Sequence, residues 1–263
     1  MLILLPPSES KADPADDSGP PLDLDRLSFP DLTGPRRRTV AALERLAQGS
    51  RKRARTVLGL SPHQDAAIER DAALTRAPTL PAGLLYTGVL YDALGYRGLR
   101  PAARRRADRW VVVSSALFGA LQPTDAIPAY RLSGDGSLPR IGRLDAYWRR
   151  FLPPAMAARA AGQVVLDLRS AAYAAAWQPR DDVADRTLVA RVMQRQPDGS
   201  AKVVSHHNKA TKGRLVAALV SQRSDPETPQ ALADLVAGLG YQVAVTEPAH
   251  GRPGRLDVVV DDV

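Results

Sequence analysis

One short stretch of the chain, SHHNKATKGRL from Ser205 to Leu215, concentrates side chains that could do chemistry. It places two histidines, an asparagine, two lysines and an arginine in eleven residues of a chain that is otherwise apolar and rich in arginine. Imidazoles can ligate a metal ion or move a proton, and closely spaced cations can bind an anion. The stretch therefore raises three alternatives: a metal site, a catalytic site or an anion-binding site.

A metal site is the least favoured of these alternatives. The run Ala201–Ser205 alternates as a β-strand does, so His206 and His207 should point to opposite faces and could not chelate one ion. The chain has no cysteine and no His-x-x-x-His spacing that would supply another ligand set. We expect one histidine buried in the sheet, the other exposed, and no metal site.

An anion-binding site is the favoured alternative. Asn208 can cap a helix that begins near Lys209, and Lys209 and Lys212 would share one face of it. Cations at a helix start oppose the macrodipole, so a sequence that accepts this cost could use the site to hold an anion with free backbone N–H groups. We count Arg214 with this group. A solvent-exposed helix start with scattered charge remains the alternative.

Lysine is scarce elsewhere, which makes these positions notable. Only five of the 36 Lys and Arg residues are lysine, and Lys202, Lys209 and Lys212 fall within eleven residues. A compact ammonium suits a deprotonable or tightly packed role that a guanidinium does not. If the protein is an enzyme, Lys209 or Lys212 could serve as a base or as an imine-forming amine.

Polar side chains also follow three apolar runs, Leu2–Leu5, Trp110–Ser115 and Val164–Leu168, which are predicted as buried strands. In open α/β sheets, ligands bind beyond the carboxyl ends of strands, so these groups could line one basic cleft. No Ser–His–Asp or paired-carboxylate arrangement can be assigned from spacing, so catalysis stays open. The polar residues near these ends are Ser8, Glu9, Lys11, Ser114, Ser115, Tyr130, Arg131, Arg169, Ser170 and Tyr173.

A helix–turn–helix pattern precedes them in the chain. Arg51–Val57 and His63–Leu74 are predicted as helices, joined by a turn in which Gly59 would let a phosphate approach and Ser61 would cap the second helix. Such a pair can bind a nucleic-acid backbone, although most pairs of this kind are plain helix packing.

Strand and helix patterns interleave along the chain and predict one α/β (mixed α+β) domain over residues 1–263, with a mixed β-sheet flanked by helices. Residues 12–35 are predicted as a long loop, rich in Pro, Asp, Ser and Gly. Two hairpins are predicted near the C-terminus. Helices are expected at 37–48, 145–161, 170–177, 215–220 and 227–239, and the hairpin strands at 187–194 with 202–206 and 241–246 with 256–260.

Composition limits the classes of function. Without cysteine there are no disulfides, thiol nucleophiles or iron–sulfur clusters, and no Rossmann or Walker-A motif is present, so we expect no cofactor. No apolar run is long enough for a membrane helix, and we expect a cytoplasmic monomer.

The net charge of +8 suggests phosphate-bearing partners, although a G+C-rich coding sequence would give the same composition. The charge is local: Arg36–Arg55 and Arg97–Arg109 are basic, whereas Glu9–Asp31 is acidic.

Several motifs together resemble those of the YaaA family, the bacterial peroxide stress proteins, in the branch whose opening motif reads PPSE-x-K. They occur in the family's order and rough spacing over almost the whole chain. The motifs are MLILLPPSESK, LPAGLLYTG, VVVSSALFGALQPTDAIPAYRL, LDAYWRRFL, VVLDLRSAAYAAAW and VVSHHNKATKGRLV.

The resemblance implies a compact α/β domain with a basic cleft and a helix-hairpin-helix element, here at Gly59–Pro62. It also implies binding to double-stranded DNA and a role in limiting oxidative DNA damage and free iron under hydrogen peroxide stress. The residues that match the family's motifs are Lys11, Tyr86, Arg131, Ser170, Tyr173, Lys209 and Lys212.

Two functions follow from these patterns. The first is a DNA-binding stress protein, supported by the basic runs, the candidate hairpin and the resemblance. The second is an enzyme that acts on a phosphorylated or nucleotide-like small molecule, because Lys, Tyr, Arg and Ser gather at strand ends beyond what backbone binding needs, with Tyr86 as a candidate proton donor. A small, deep pocket would favour the enzyme, and an open groove about as wide as a DNA duplex would favour the first.

Overall fold

A computed structural model describes residues 1–13, 19–196, 201–203 and 208–260. His206 and His207 fall outside these residues, as do residues 14–18 of the loop predicted over 12–35. The secondary structure agrees with the predicted α/β class, in one mixed domain. The strands are β1 Leu2–Leu5, β2 Thr79–Pro81, β3 Val111–Ser115, β4 Gly119–Leu121, β5 Ala126–Pro128, β6 Ser137–Leu138, β7 Gly142–Arg143, β8 Val165–Asp167, β9 Thr187–Arg195, β10 Ala201–Val203, β11 Gln242–Thr246 and β12 Gly254–Val260.

Twelve α-helices occur in the described ranges, and none of them is long and apolar enough to cross a bilayer. The described residues also form four short 3-10 helices, at Leu24–Arg26, Pro30–Leu32, Pro62–Gln64 and Tyr96–Gly98. The α-helices are α1 Thr33–Ala47, α2 Arg51–Leu58, α3 Asp65–Asp71, α4 Ala82–Leu85, α5 Val89–Leu94, α6 Pro101–Trp110, α7 Leu144–Trp148, α8 Leu152–Ala160, α9 Ala171–Ala174, α10 Asp181–Ala184, α11 Asn208–Ser221 and α12 Pro229–Gly238.

The main sheet has the order β11-β12-β9-β8-β1-β3-β4, and β10 pairs with the C-terminal end of β9. The five central strands, from β12 to β3, run parallel, whereas β11 and β4 add antiparallel edges. All four residues of β1 are buried. Since successive side chains point to opposite faces, both faces of the sheet are covered there, as the continuous apolar run LILL predicts.

Both predicted hairpins are present, β9 with β10 and β11 with β12. The predicted helix over 145–161 is wrong, because two helices, α7 and α8, occupy the segment with a break between them. Pro153 and Pro154 explain the break: they lack N–H donors and lie in the first turn of α8, where no donor is needed. The helix predicted over 170–177 is shorter in the structure, where α9 covers only Ala171–Ala174.

Helices α11 and α5 cross closely enough to require glycine. A β-carbon at Gly213, on α11, would overlap the carbonyl oxygen of Leu90 and lie 2.9 Å from the β-carbon of Ala93, both on α5. Because α11 carries Lys209 and Lys212, and the loop before α5 borders the candidate site, this crossing helps to set their relative position.

Replacing Gly213 with alanine is expected to destabilise the fold by about 1–3 kcal/mol, because the added methyl group overpacks a backbone contact. Gly238→Ala in α12 is the matched control, since nothing lies within 4 Å of a β-carbon there. It should leave stability unchanged or raise it slightly through helix propensity. Urea unfolding of both variants checks this, and equal stabilities would show that the helices do not meet at Gly213.

Candidate functional site

The carboxyl ends of β1, β3 and β8 meet at the point where the strand order reverses, since β3 lies on one side of β1 and β8 on the other. Ligands of parallel sheets bind in the crevice at such a point. A pocket of about 510 Å³ is found here. Its polar lining consists of the hydroxyls of Ser8, Ser10, Tyr91, Ser133, Ser170 and Tyr173 together with Glu9, Asp135 and Lys209.

The Lys11 side chain folds back against the loop that follows β1. Its Nζ donates to the carbonyl oxygens of Ser8 at 2.9 Å and Glu9 at 3.4 Å, and both residues line the pocket. The nitrogen also lies 4.1 Å from the ring centroid of Tyr130 and 5.4 Å from that of Tyr86. Burial lowers the pKa of Lys11 from 10.5 to about 7, against the opposing attraction of Asp71. This amine is therefore partly neutral at neutral pH.

A chain of hydroxyl groups lies beside the amine. The Tyr86 and Tyr130 hydroxyls are 2.9 Å apart, and that of Tyr130 is 2.8 Å from Ser115 Oγ, which accepts from the N–H of Phe118. Burial raises the pKa of both tyrosines well above that of a free phenol, so both stay protonated. Three connected O–H groups can pass a proton along their hydrogen bonds.

Asp71, at the end of α3, is a fully buried carboxylic acid near Lys11. Its Oδ1 accepts from the backbone N–H of Arg131 at 2.9 Å, whereas Oδ2 has no hydrogen-bond partner among the described residues. Burial raises the pKa of Asp71 from 3.8 to about 7, although the Arg131 N–H and the Lys11 charge oppose this. A buried carboxylate with one oxygen left without a hydrogen bond is unfavourable, so the neutral acid is favoured. Asp71 is therefore a candidate to exchange a proton with the amine.

Arg131 links this buried group to the pocket rim. Its guanidinium pairs with Glu9 at 2.7 Å while its backbone N–H binds Asp71. The ion pair neutralises the acid that lines the pocket, so Lys209 and Asp135 are the remaining charged groups of the lining. The structure thus brings together Lys11, Tyr86 and Arg131 of the predicted candidates, and Ser170, Tyr173 and Lys209 border the adjoining pocket.

Lys212 does not join Lys209 at the pocket. Lys209 is exposed, but Lys212 is only 9% exposed and its Nζ donates to the carbonyl oxygen of Leu168 at 2.9 Å. Burial lowers the pKa of Lys212, and the nearby Asp167 opposes this. Lys212 is therefore hydrogen-bonded to the backbone at the end of β8. The structure does not place the Lys209 and Lys212 ammonium groups together at the pocket, as the anion-binding prediction had them.

The other candidates from these motifs have structural partners. Arg169 is buried and makes a two-pronged ion pair with Asp167 at 2.9 and 2.7 Å. Arg214 contacts the Thr211 hydroxyl at 3.4 Å. Asn208 begins α11, as predicted, and its Oδ1 is buried without a hydrogen-bond partner in the described part of the chain.

The helix pair around Gly59 is present, but its groups are satisfied internally. Gly59 ends α2 in the left-handed conformation, and the N–H and hydroxyl of Ser61 both donate to the Gln64 side chain at 3.0 and 3.2 Å. Arg55 pairs with Asp65 at 2.7 Å. Phosphate binding at this turn stays a prediction.

Metal ligation has no support in the described residues, which contain no cluster of three or more His, Asp or Glu side chains. The opposite-face argument for His206 and His207 concerns residues outside those the structure describes. Asp71 was missed by sequence reasoning, because no motif links a helix-terminal aspartate to a loop 60 residues away in either direction. Ser115 and Tyr130 were signalled only by their positions near β3.

Comparison with known sequences decides the family. Residues 1–246 match the family model described as peroxide stress protein YaaA. The chain belongs to the YaaA family. It is 47% identical to a UPF0246 protein of Streptomyces coelicolor, with the whole of both chains covered. A UPF0246 protein of Corynebacterium efficiens is 39% identical over 99% of this chain and all of its own, and one of Corynebacterium glutamicum is 38% identical over 95% and 97%. The resemblance inferred from the motifs is confirmed.

The buried amine predicts a pH-dependent difference between the protein and its Lys11→Met variant. The unfolded chain keeps Lys11 protonated up to pH 10.5, whereas the folded chain releases that proton near pH 7. The unfolded state thus binds more protons between these values, so wild-type stability rises with pH there. The free energy of unfolding of the variant minus that of the wild type should therefore fall from pH 7 to pH 10.

Urea unfolding at several pH values between 6.5 and 10 measures this difference. Lys52→Met is the matched control, because it removes an exposed lysine of α2, and the fall for Lys11→Met should be the larger of the two. A flat difference for Lys11→Met would contradict the burial of the Lys11 amine.

Proposed function

We propose that this YaaA-family protein is an enzyme that binds a phosphorylated or nucleotide-like small molecule in the pocket at the carboxyl ends of β1 and β8. The observation that supports it most is the pocket of about 510 Å³ whose wall, at Ser8 and Glu9, is hydrogen-bonded to the buried Lys11 amine. The volume lies within the usual range of about 300–1,000 Å³ for small-molecule sites. It is too small for a DNA duplex.

The lining suits a polar ligand with one anionic end. Several Ser and Tyr hydroxyls can donate to or accept from a sugar or a nucleobase. Lys209 is exposed at the pocket and has no ion-pair partner among the described residues, so it can contact a phosphate. Glu9 is already paired with Arg131, which limits repulsion of an anion.

Lys209→Ala is expected to weaken phosphate recognition by roughly 10- to 100-fold, as loss of a hydrogen bond to a charged group would. AMP should raise the melting temperature of the wild type more than adenosine does, because only AMP carries the phosphate. Lys52→Ala, at an exposed lysine remote in sequence, should keep the full response. Thermal-shift titrations measure this, and equal responses of Lys209→Ala and the wild type would refute the proposed phosphate contact.

The second candidate is a DNA-binding stress protein that limits oxidative DNA damage and free iron under peroxide. It is favoured by the family description and by the outer face of α2, where Lys52 and Arg53 are exposed and have no ion-pair partner among the described residues. Many other arginines of the basic runs are occupied. Arg51 and Arg55 pair with acids on α3, and Arg106 donates to carbonyl oxygens at the end of α11. The free positive charge is therefore smaller than the composition suggests.

If α2 contacts DNA, replacing both Lys52 and Arg53 by alanine should weaken duplex binding and reduce the slope of log K against log salt by about 1.8, since each lost phosphate contact removes roughly 0.9. The control is the double variant Arg223→Ala, Arg252→Ala, which removes two exposed arginines elsewhere. Mobility-shift titrations at several salt concentrations measure both slopes. Absent or salt-insensitive duplex binding by the wild type would remove this candidate.

A further inference from the structure

We infer that Lys11 is the nucleophile of this site and forms an imine with a substrate aldehyde or ketone that carries a phosphate. The inference rests on the proposed function, because it takes the same pocket as the binding site and assigns the reacting group and the substrate class. It differs from the sequence-based hypothesis, which placed an imine-forming amine at Lys209 or Lys212.

The hydrogen bonding of Lys11 Nζ favours a neutral amine. A charged ammonium has three N–H donors, whereas Lys11 has two carbonyl acceptors, one of them at 3.4 Å. No carboxylate oxygen lies within 4.0 Å of this nitrogen among the described residues, so an ammonium there would have no direct ion pair. A nitrogen with a spare position and a lone pair is what attack on a carbonyl carbon requires.

The charged groups around the amine come from three segments. Glu9 belongs to the loop after β1, Arg70 and Asp71 to α3, and Arg131 to the segment after β5. Arg131 is paired with Glu9, and Asp71 is itself buried, so the attraction of these two acids only partly offsets the effect of burial on the Lys11 amine. The two tyrosine rings supply the remaining walls.

The hydroxyl chain provides the proton transfers that imine formation needs. The Nζ lone pair attacks the carbonyl carbon, and the C=O electron pair moves to oxygen, which takes a proton from the Tyr86–Tyr130–Ser115 chain to give a carbinolamine. Asp71 supplies a second proton to the carbinolamine hydroxyl, which leaves as water while Nζ forms the C=N bond. The two protons lost from Nζ restore the chain and Asp71, so that amine and carbonyl give imine and water.

The two other lysines near β8 are less suited to this role. Lys212 Nζ donates to the Leu168 carbonyl oxygen, and the nearby Asp167 favours its charged form. Lys209 is exposed at the pocket. Lys209 is thus placed to hold the phosphate, and Lys11 to react with the carbonyl group.

Pyridoxal 5′-phosphate is a suitable probe, because it combines a phosphate with an aldehyde. The full-length protein is incubated with the probe from pH 6 to pH 10, treated with sodium borohydride, which reduces the imine by hydride transfer, and mapped by peptide mass spectrometry. Lys11 should be labelled at least about tenfold faster than the exposed Lys52 at pH 7, because burial leaves the Lys11 amine partly neutral there. Labelling of Lys11 should level off above about pH 7.

Variants separate the reacting group from its surroundings. Lys11→Arg should abolish this label, and Lys11→Met repeats the test if arginine disturbs the fold. Tyr130→Phe should slow imine formation about tenfold or more by breaking the hydroxyl chain. Tyr147→Phe is its matched control, because the Tyr147 hydroxyl donates to the Pro35 carbonyl oxygen and belongs neither to that chain nor to the pocket lining. It should label at the wild-type rate.

Pyridoxine 5′-phosphate, which carries an alcohol in place of the aldehyde, reports binding without reaction. If it or AMP stabilises the protein but Lys11 acquires no label, the imine inference is overturned while the proposed function stands. Preferred labelling of Lys209 overturns the role given to Lys11, and equal rates for Tyr130→Phe and Tyr147→Phe overturn the role given to the hydroxyl chain. If no phosphate compound shifts the melting temperature, the proposed function itself fails.

Discussion

The burial of β1 between two parallel neighbours is the constraint on which the structure depends. Leu2–Leu5 pairs with β3 on one side and β8 on the other, and all four side chains are buried. Pro6 and Pro7 then end the strand, because proline cannot donate to a central ladder. The chain must leave the sheet where the strand order reverses, and this places the Ser8–Lys11 segment at the one edge where a parallel sheet leaves a crevice.

The candidate site forms because distant segments converge on that loop. Tyr86 follows α4, Asp71 ends α3, and Tyr130 and Arg131 follow β5. The loop itself is held by backbone bonds, with the Ala12 N–H donating to Leu85 and the Thr87 N–H to Ser10. These bonds fix the amine between two phenol rings. Burial then changes its chemistry, since the same low-dielectric setting that neutralises Lys11 also favours a neutral Asp71.

The positions of the arginines show that the net charge of +8 is not all available to bind an anionic partner. Arg36 is fully buried and donates to the carbonyl oxygens of Phe118 and Ala120 at 3.0 and 2.7 Å, where it holds α1 against β4. Arg169 is buried against Asp167. Arginine therefore serves partly as a structural donor in this protein, because its five N–H groups can satisfy several backbone acceptors at once. The charge left for an anionic partner lies on specific exposed faces such as that of α2.

The sequence by itself determined the elements with strong local patterns. The apolar runs of β1, β3 and β8, the C-terminal hairpins and the start of α11 near Asn208 were predictable, since hydrophobic periodicity and turn residues act locally. The ordered motifs also predicted the family. Pro153-Pro154 indicated the break between α7 and α8, but the helical pattern around these prolines led to the prediction of one continuous helix.

Only the tertiary structure decided which polar residues act together. Lys209 and Lys212 are three residues apart on one helix, yet the packing of α11 buries one against Leu168 and leaves the other at the pocket. Lys11 and Asp71 are 60 positions apart, and no spacing rule connects them. Local sequence determines where strands and helices form, but burial, and with it the protonation of an amine or a carboxyl group, depends on what the rest of the chain packs around it.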